Sequence, residues 1–145
     1  KLTYAANFSG EFEEVSFWND LDYIGVQAYF PLTSAKEPSL EALEKGWKEP
    51  IARIERIFRK FRKPVLFTEL GYKSTPDAAI EPWRWPERQE EVSLKTQANC
   101  YNAFFARFGP WNGLPGSIFG SGIHILHSTQ QKEILHLKVN QRRKC

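Results

Sequence analysis

The stretch PVLFTELGY, residues 64–72, sets Val65, Leu66 and Phe67 in an apolar row and then places a carboxylate, Glu69, just before Gly71 ends the run. A short apolar run bounded by proline and glycine has the pattern of a strand covered on both faces. A charge at its end is costly to bury without donors or an opposite charge. Glu69 therefore either caps a helix or meets a lysine at the surface, or it does chemistry at the end of the strand.

Two further runs have the same character. LTYAANF (2–8) and DYIGVQAYF (22–30) are rich in β-branched and aromatic residues and end in polar or turn chemistry, so both read as strands. Between 30 and 64, SLEALEKGWKEPIARIERIFRKF spaces Leu40, Leu43, Trp47, Ile51, Ile54, Phe58 and Phe61 three and four apart, which makes one apolar helical stripe. Pro50 is expected to start a second helical segment within it. SLKTQANCYNAFFARF (93–108) predicts a helix with Ser93 as N-cap and Leu94, Ala98, Tyr101 and Phe105 on its apolar face. The order is strand, short helical stretch, strand, helix, strand, helix, with room for one more strand near residue 117. No internal repeat interrupts it.

Apolar strands separated by helices imply a parallel sheet in an α/β fold. An open doubly wound sheet and part of an eight-stranded barrel both satisfy that order. Asn7, Tyr29 and Glu69 fall at the carboxyl ends of three different strands, where barrel enzymes gather catalytic side chains. No glycine-rich phosphate loop follows any strand. The barrel is the better expectation.

Composition sets the surroundings. The chain has 145 residues, 41% hydrophobic and 14% aromatic, enough for one ordinary core. No run approaches the length of a membrane span, and the first residues lack the pattern of a signal peptide, so no membrane partner is expected. It contains no methionine and opens on Lys1, and so reads as a piece of something longer. Cys100 and Cys145 stand far apart with no C-x-x-C and no histidine pair near them, so neither a metal site nor a disulfide framework is signalled, and no cofactor is expected. Cys100 reads as a small core residue on a helix. Residues 1–116 carry 15 Lys/Arg against 16 Asp/Glu, whereas residues 117–145 carry 5 against 1 and all three histidines. A basic tail can mark a nucleic-acid binder, but no strand interleaves basic with aromatic residues, which argues against nucleic acid.

LTYAANF, FWNDLDYIGVQAYFPL, KPVLFTELGYKS, PWRW and QANCYNAFF, taken in that order, resemble successive segments of the glycoside hydrolase family 113 enzymes, which cleave β-1,4-mannan with retention of configuration. The resemblance covers most of residues 2–116. It implies a partial (β/α)8 TIM barrel: strands 5 to 7 in residues 1–116, plus a disrupted strand 8. It also implies that Glu69 is the nucleophile and that a second glutamate, the acid/base at the end of the fourth strand, is missing from this chain. A retaining glycosidase needs the two about 5–5.5 Å apart. The nucleophile must stay ionised, and Tyr29 on the neighbouring strand is the expected donor that supports it.

The remaining candidates carry two readings each. Trp83 and Trp85, in the long loop 73–92, can form an apolar platform for a pyranose face, or they can pack the loop onto the barrel. Asn7 can hydrogen-bond a sugar hydroxyl or cap a turn. Trp18, Trp47 and Trp111 are expected in the core. The partner is thus a β-linked oligosaccharide or polysaccharide. A chain that bears only the nucleophile is expected to be inactive alone and to self-associate through its exposed barrel edges. The alternative is a non-catalytic carbohydrate-binding or interaction module.

Residues 117–145 depart from the family. Where a Trp-Lys-Trp strand is called for, the chain reads GSIFGSGIHILHSTQQKEILHLKV. Codons formed from the third base of each residue and the first two of the next allow F-W-K-W-Y-P over residues 119–124, and D-F-T-P-Q-G-K-P over residues 133–141. These residues read as an aberrant basic tail translated out of frame from near Gly116.

Overall fold

The structure, a computed structural model, describes residues 1–85 and 91–109. Each of the three apolar runs forms a strand at its centre: β1 (Ala5–Asn7), β2 (Ile24–Gln27) and β3 (Val65–Glu69). They make one parallel sheet in the order β1-β2-β3, with Ala6 opposite Val26 and Val26 opposite Phe67. Parallel neighbours need crossovers, and helices supply them. The first holds α1 (Glu11–Glu14) and a 3-10 turn (Phe17–Asp20), the second holds α2 (Leu40–Gly46) and α3 (Lys48–Phe61), and α4 (Leu94–Phe108) follows β3.

Alternation along the strands decides which side chains meet the helices. Ala6, Ile24, Val26, Ala28, Val65 and Phe67 all join the main core, together with Leu43, Trp47, Ile54, Phe104 and Phe108 from the helices. Leu66 looks the other way and packs with Tyr23 in a small separate cluster. The sheet therefore has a helix-covered face and an opposite face, and the site is built on the latter.

The helical stretch from 39 to 61 breaks at Trp47, three residues before Pro50. Trp47 closes α2 by donating to Leu43 O at 3.2 Å and opens α3 by accepting from Ile51 N at 3.0 Å. Pro50 lies in the first turn of α3, where its missing N–H has no intrahelical partner to lose. The break lets the Trp47 side chain drop into the core. Its ring lies 5.9 Å from Phe30, 5.8 Å from Phe104 and 5.1 Å from Phe108. Trp18 is likewise fully buried, as expected. At the other end Arg62 turns left-handed, at φ 55°, and stops α3.

Two helical faces differ from expectation. Leu40, at the first turn of α2, is exposed, while Ile57 is buried instead. On α4 the buried side chains are Thr96, Cys100, Ala103, Phe104 and Phe108, whereas Leu94 is 67% exposed and Ala98 lies at the surface. Both stripes fit a 3.6-residue period, so spacing alone does not choose between them. The choice falls to volume, because Phe104 and Phe108 fill the space between Trp47 and Phe67. Ser93 caps α4 as expected, accepting from Thr96 N at 3.3 Å. Cys100 is a core residue whose burial pushes its thiol up to about 12. Trp111, the expected eighth strand and the tail 117–145 lie outside the described residues.

Candidate functional site

The carboxyl end of β3 contains a one-residue irregularity that governs everything around it. Val26 pairs with Phe67, but the next residue of β2, Gln27, pairs with Glu69, so Thr68 is an extra residue in β3. Strict alternation would turn Glu69 the same way as Val65 and Phe67, beneath the helices. The bulge restores it to the open face beside Gln27. There Gln27 Nε2 donates to Glu69 Oε1 at 2.8 Å, and the ladder continues with Ala28 N donating to Glu69 O at 2.7 Å.

Tyr29 lies two residues beyond Gln27 and so returns to the same face. Burial first, then the hydrogen bond to Glu69 and the charge of that carboxylate, hold the Tyr29 phenol above its ordinary value. It therefore stays protonated and remains a donor. Tyr29 and Glu69 line the same cleft, and the side-chain hydrogen bond to the carboxylate comes from Gln27, a donor that the sequence reading missed. Its signal was available: a polar residue alternating with Gly25 and Tyr29 inside an otherwise apolar run, in register with the glutamate.

Glu69 and Tyr29 line a cleft of about 590 Å³ together with Tyr72, Trp83, Arg84 and Trp85. Trp85 is 88% exposed and Trp83 45%, with Trp83 stacked on Phe8 at 5.0 Å between ring centroids. Trp83 thus serves packing and cleft at once, whereas Trp85 is mostly exposed.

The loop that carries both tryptophans is tied down by one carboxylate. Asp77 accepts from Thr75 Oγ1 at 2.5 Å, from Lys73 Nζ at 3.1 Å and from Arg84 Nη2 at 3.2 Å. Burial works against its charge, but the hydrogen bonds from Thr75 and Lys73 outweigh it and hold the Asp77 carboxyl below its usual range. Backbone bonds fix the same loop at three points: Glu37 N to Pro76 O, Leu32 N to Ala79 O and Ser93 N to Ser74 O, at 2.8–2.9 Å.

Asn7 stands in register with Gln27, at the head of the same row. Its Oδ1 accepts from Ser9 N at 2.8 Å and its backbone N donates to Glu11 Oε2 at 2.7 Å, so its amide shapes the turn after β1. It does not line the cleft. Among the described residues no group of three or more His, Cys, Asp or Glu is placed to hold a metal ion.

The described residues thus hold a strand-end carboxylate that accepts from Gln27 and lies beside Tyr29 in a cleft lined by exposed indoles. The sequence model of Glycoside Hydrolase Family 113 matches residues 1–119. Two solved structures share the α/β fold with its parallel sheet. One is a complex of a GH113 β-1,4-mannanase, with TM-score 0.62 and 23% identity. The other is the GH113 β-mannanase AaManA from Alicyclobacillus acidocaldarius in complex with ManMIm, with TM-score 0.61 and 25% identity. Each covers 86% of this chain, and the chain spans 33%, about a third, of either of them. No curated protein sequence matches.

Proposed function

This chain belongs to glycoside hydrolase family 113, and from that premise we propose that it is the nucleophile-bearing part of a retaining hydrolase acting on β-1,4-linked mannan or a related β-linked polysaccharide. Its three strands are the fifth, sixth and seventh of a (β/α)8 barrel, and residues 1–116 are the C-terminal half of the catalytic domain. The observation that carries the reading is Glu69, brought by a bulge to the open face, held there by Gln27 and sharing the cleft with Tyr29.

In this scheme one Glu69 oxygen bonds to the anomeric carbon while the glycosidic bond breaks towards the leaving oxygen, which takes a proton from a second carboxyl group. Glu69 is the one carboxylate among the described residues that line the cleft, and in this scheme the second group comes from another part of the barrel. The chain by itself is then inactive. Trp83 and Trp85 offer their indole faces to the C–H faces of neighbouring sugars.

The test is made in the complete enzyme. Replacing Glu69 by Ala is expected to lower turnover of an aryl β-mannoside by more than roughly a thousandfold. Added azide then restores part of it, giving the α-mannosyl azide, because the small anion attacks from the side the carboxylate has vacated. Activity retained within about tenfold of the parent overturns the assignment.

Residues 117–145 we propose to be read out of frame. The support is that the family match stops at residue 119 and that the charge balance changes at the same place. Resequencing the codons for Asn112 to Ile125 is expected to show an insertion or deletion whose correction restores Trp-Lys-Trp. An intact reading frame there dismisses the idea.

A further inference from the structure

We propose that Gln27 is a positioning residue for the Glu69 carboxylate: it pins Oε1, so that the attack is made by Oε2. The proposal rests on the reading of Glu69 as nucleophile and adds to it which oxygen reacts and what holds the other.

The last torsion of a glutamate is broad and nearly two-fold, so a carboxylate on an exposed strand end turns freely unless something holds it. Gln27 Nε2 lies 2.8 Å from Glu69 Oε1, and the two residues are direct partners across β2 and β3. The donor is thus carried by a strand of the same sheet, which fixes it better than a loop would. The bulge at Thr68 creates this pairing, since regular alternation would set Glu69 opposite Ala28 and on the other face. Glu69 itself is exposed, so its second oxygen is reachable.

Chemistry favours an amide in this position. A cation would bind the carboxylate more strongly and weaken it as a nucleophile. A neutral N–H orients it at smaller cost to its reactivity. When Oε2 forms its bond to the anomeric carbon and the leaving group departs with the electron pair, Oε1 becomes the ester carbonyl, and Gln27 continues to donate to it. The same contact then polarises the ester for the departure of Glu69 in the second step.

The test uses the full chain and 2-deoxy-2-fluoro-β-mannosyl fluoride. Fluoride leaves without being protonated, so the acid/base is not needed, and the covalent adduct is read by mass on the peptide that contains Glu69. The unaltered chain is expected to be labelled. Gln27→Leu keeps the size but removes the donor, and labelling should slow by roughly ten- to a hundredfold, the size of one hydrogen bond to a charged group. Gln27→Glu supplies the diagnostic pH profile, because two carboxylates this close cannot both ionise. While they share a proton, Glu at position 27 donates as Gln27 does and labelling persists. As pH rises and the shared proton leaves, labelling should fall, a dependence absent from the parent on that side.

Labelling of Gln27→Leu within about twofold of the parent overturns the role of Gln27 and leaves the nucleophile standing. If Gln27→Leu does not fold, the Gln27→Glu profile decides, and a profile matching the parent's on the alkaline side overturns the role. A parent chain that is never labelled at Glu69 overturns the nucleophile reading and this proposal together.

Discussion

The indole of Trp83 lies against the ring of Phe8, with centroids 5.0 Å apart and planes 28° from parallel. Phe8 in turn meets Phe30 edge-on at 5.9 Å, so the stack joins the turn after β1 to the loop after β3 and anchors both in the core. One face of Trp83 is thereby spent on packing. Trp85 has no such contact among the described residues and is the more exposed of the two. Trp85→Ala is accordingly expected to weaken binding of a manno-oligosaccharide by about tenfold and leave thermal unfolding unchanged. Trp83→Ala should lower both affinity and the unfolding temperature. Calorimetric titration with thermal unfolding on each variant checks this. Equal stability losses for the two would contradict the division of roles.

Asp77 makes the cleft wall sensitive to acid. Its folded carboxyl titrates below the ordinary value of about 3.9. A group of this sign contributes its full stabilisation above the unfolded value, and the contribution is lost as pH falls through the lowered folded value. The loop is therefore expected to stay docked near neutrality and to loosen only in strong acid. Asp77→Asn should loosen it at pH 7, since the carboxylate is a partner both of Arg84 and of Lys73, whose side chain is only 5% exposed. Acrylamide quenching of tryptophan fluorescence across pH measures the effect. A variant that quenches like the parent at pH 7 would show that the backbone bonds suffice.

The strands, their parallel order and the presence of Tyr29 and Glu69 in one cleft were legible because each rests on local chemistry: apolar runs, turn residues and positions at strand ends. The face of α4 was not legible. Leu94–Ala98–Tyr101–Phe105 and Thr96–Cys100–Phe104–Phe108 differ by less than one turn of rotation, and only the space beside Trp47 decides between them. Gln27 was missed for a related reason. A bulge is a property of two strands together, so reading β3 alone does not reveal that Glu69 changes sides to meet it. The break at Trp47 was displaced to Pro50 because proline is the louder local signal, although Gly46 marks the true position.

Trp47 carries more of the core than any sequence pattern indicates. It is fully buried, it joins α2 to α3, and its ring contacts Phe30, Phe67, Phe104 and Phe108. Trp47→Ala is expected to cost about 3–5 kcal/mol and to broaden or abolish cooperative unfolding. Trp47→Phe should cost much less, because it keeps most of the ring contacts and removes a buried indole N–H that has no partner among the described residues. Denaturant unfolding of the two variants measures the difference. Similar losses would mean that the aromatic cluster tolerates no change of shape at all.

Gly46 tests whether the fold reaches the site. A Cβ at this position would lie 2.1 Å from Leu32 O and 2.9 Å from Leu32 Cα, so the end of α2 runs directly against the backbone of the segment after β2. Backbone cannot rotate away as a flexible side chain can, and Gly46→Ala must push the two segments apart. Overpacking of this kind costs about 1–3 kcal/mol. The displacement has a path to follow: Leu32 N donates to Ala79 O at 2.9 Å, and Ala79 belongs to the loop that presents Trp83 and Trp85. Gly46→Ala is therefore expected to lower the unfolding temperature and also to weaken oligosaccharide binding, although the residue lies outside the cleft lining. A variant that loses stability while binding at full strength would show that the loop is held by Asp77 and its own backbone contacts, independently of the Leu32 tie.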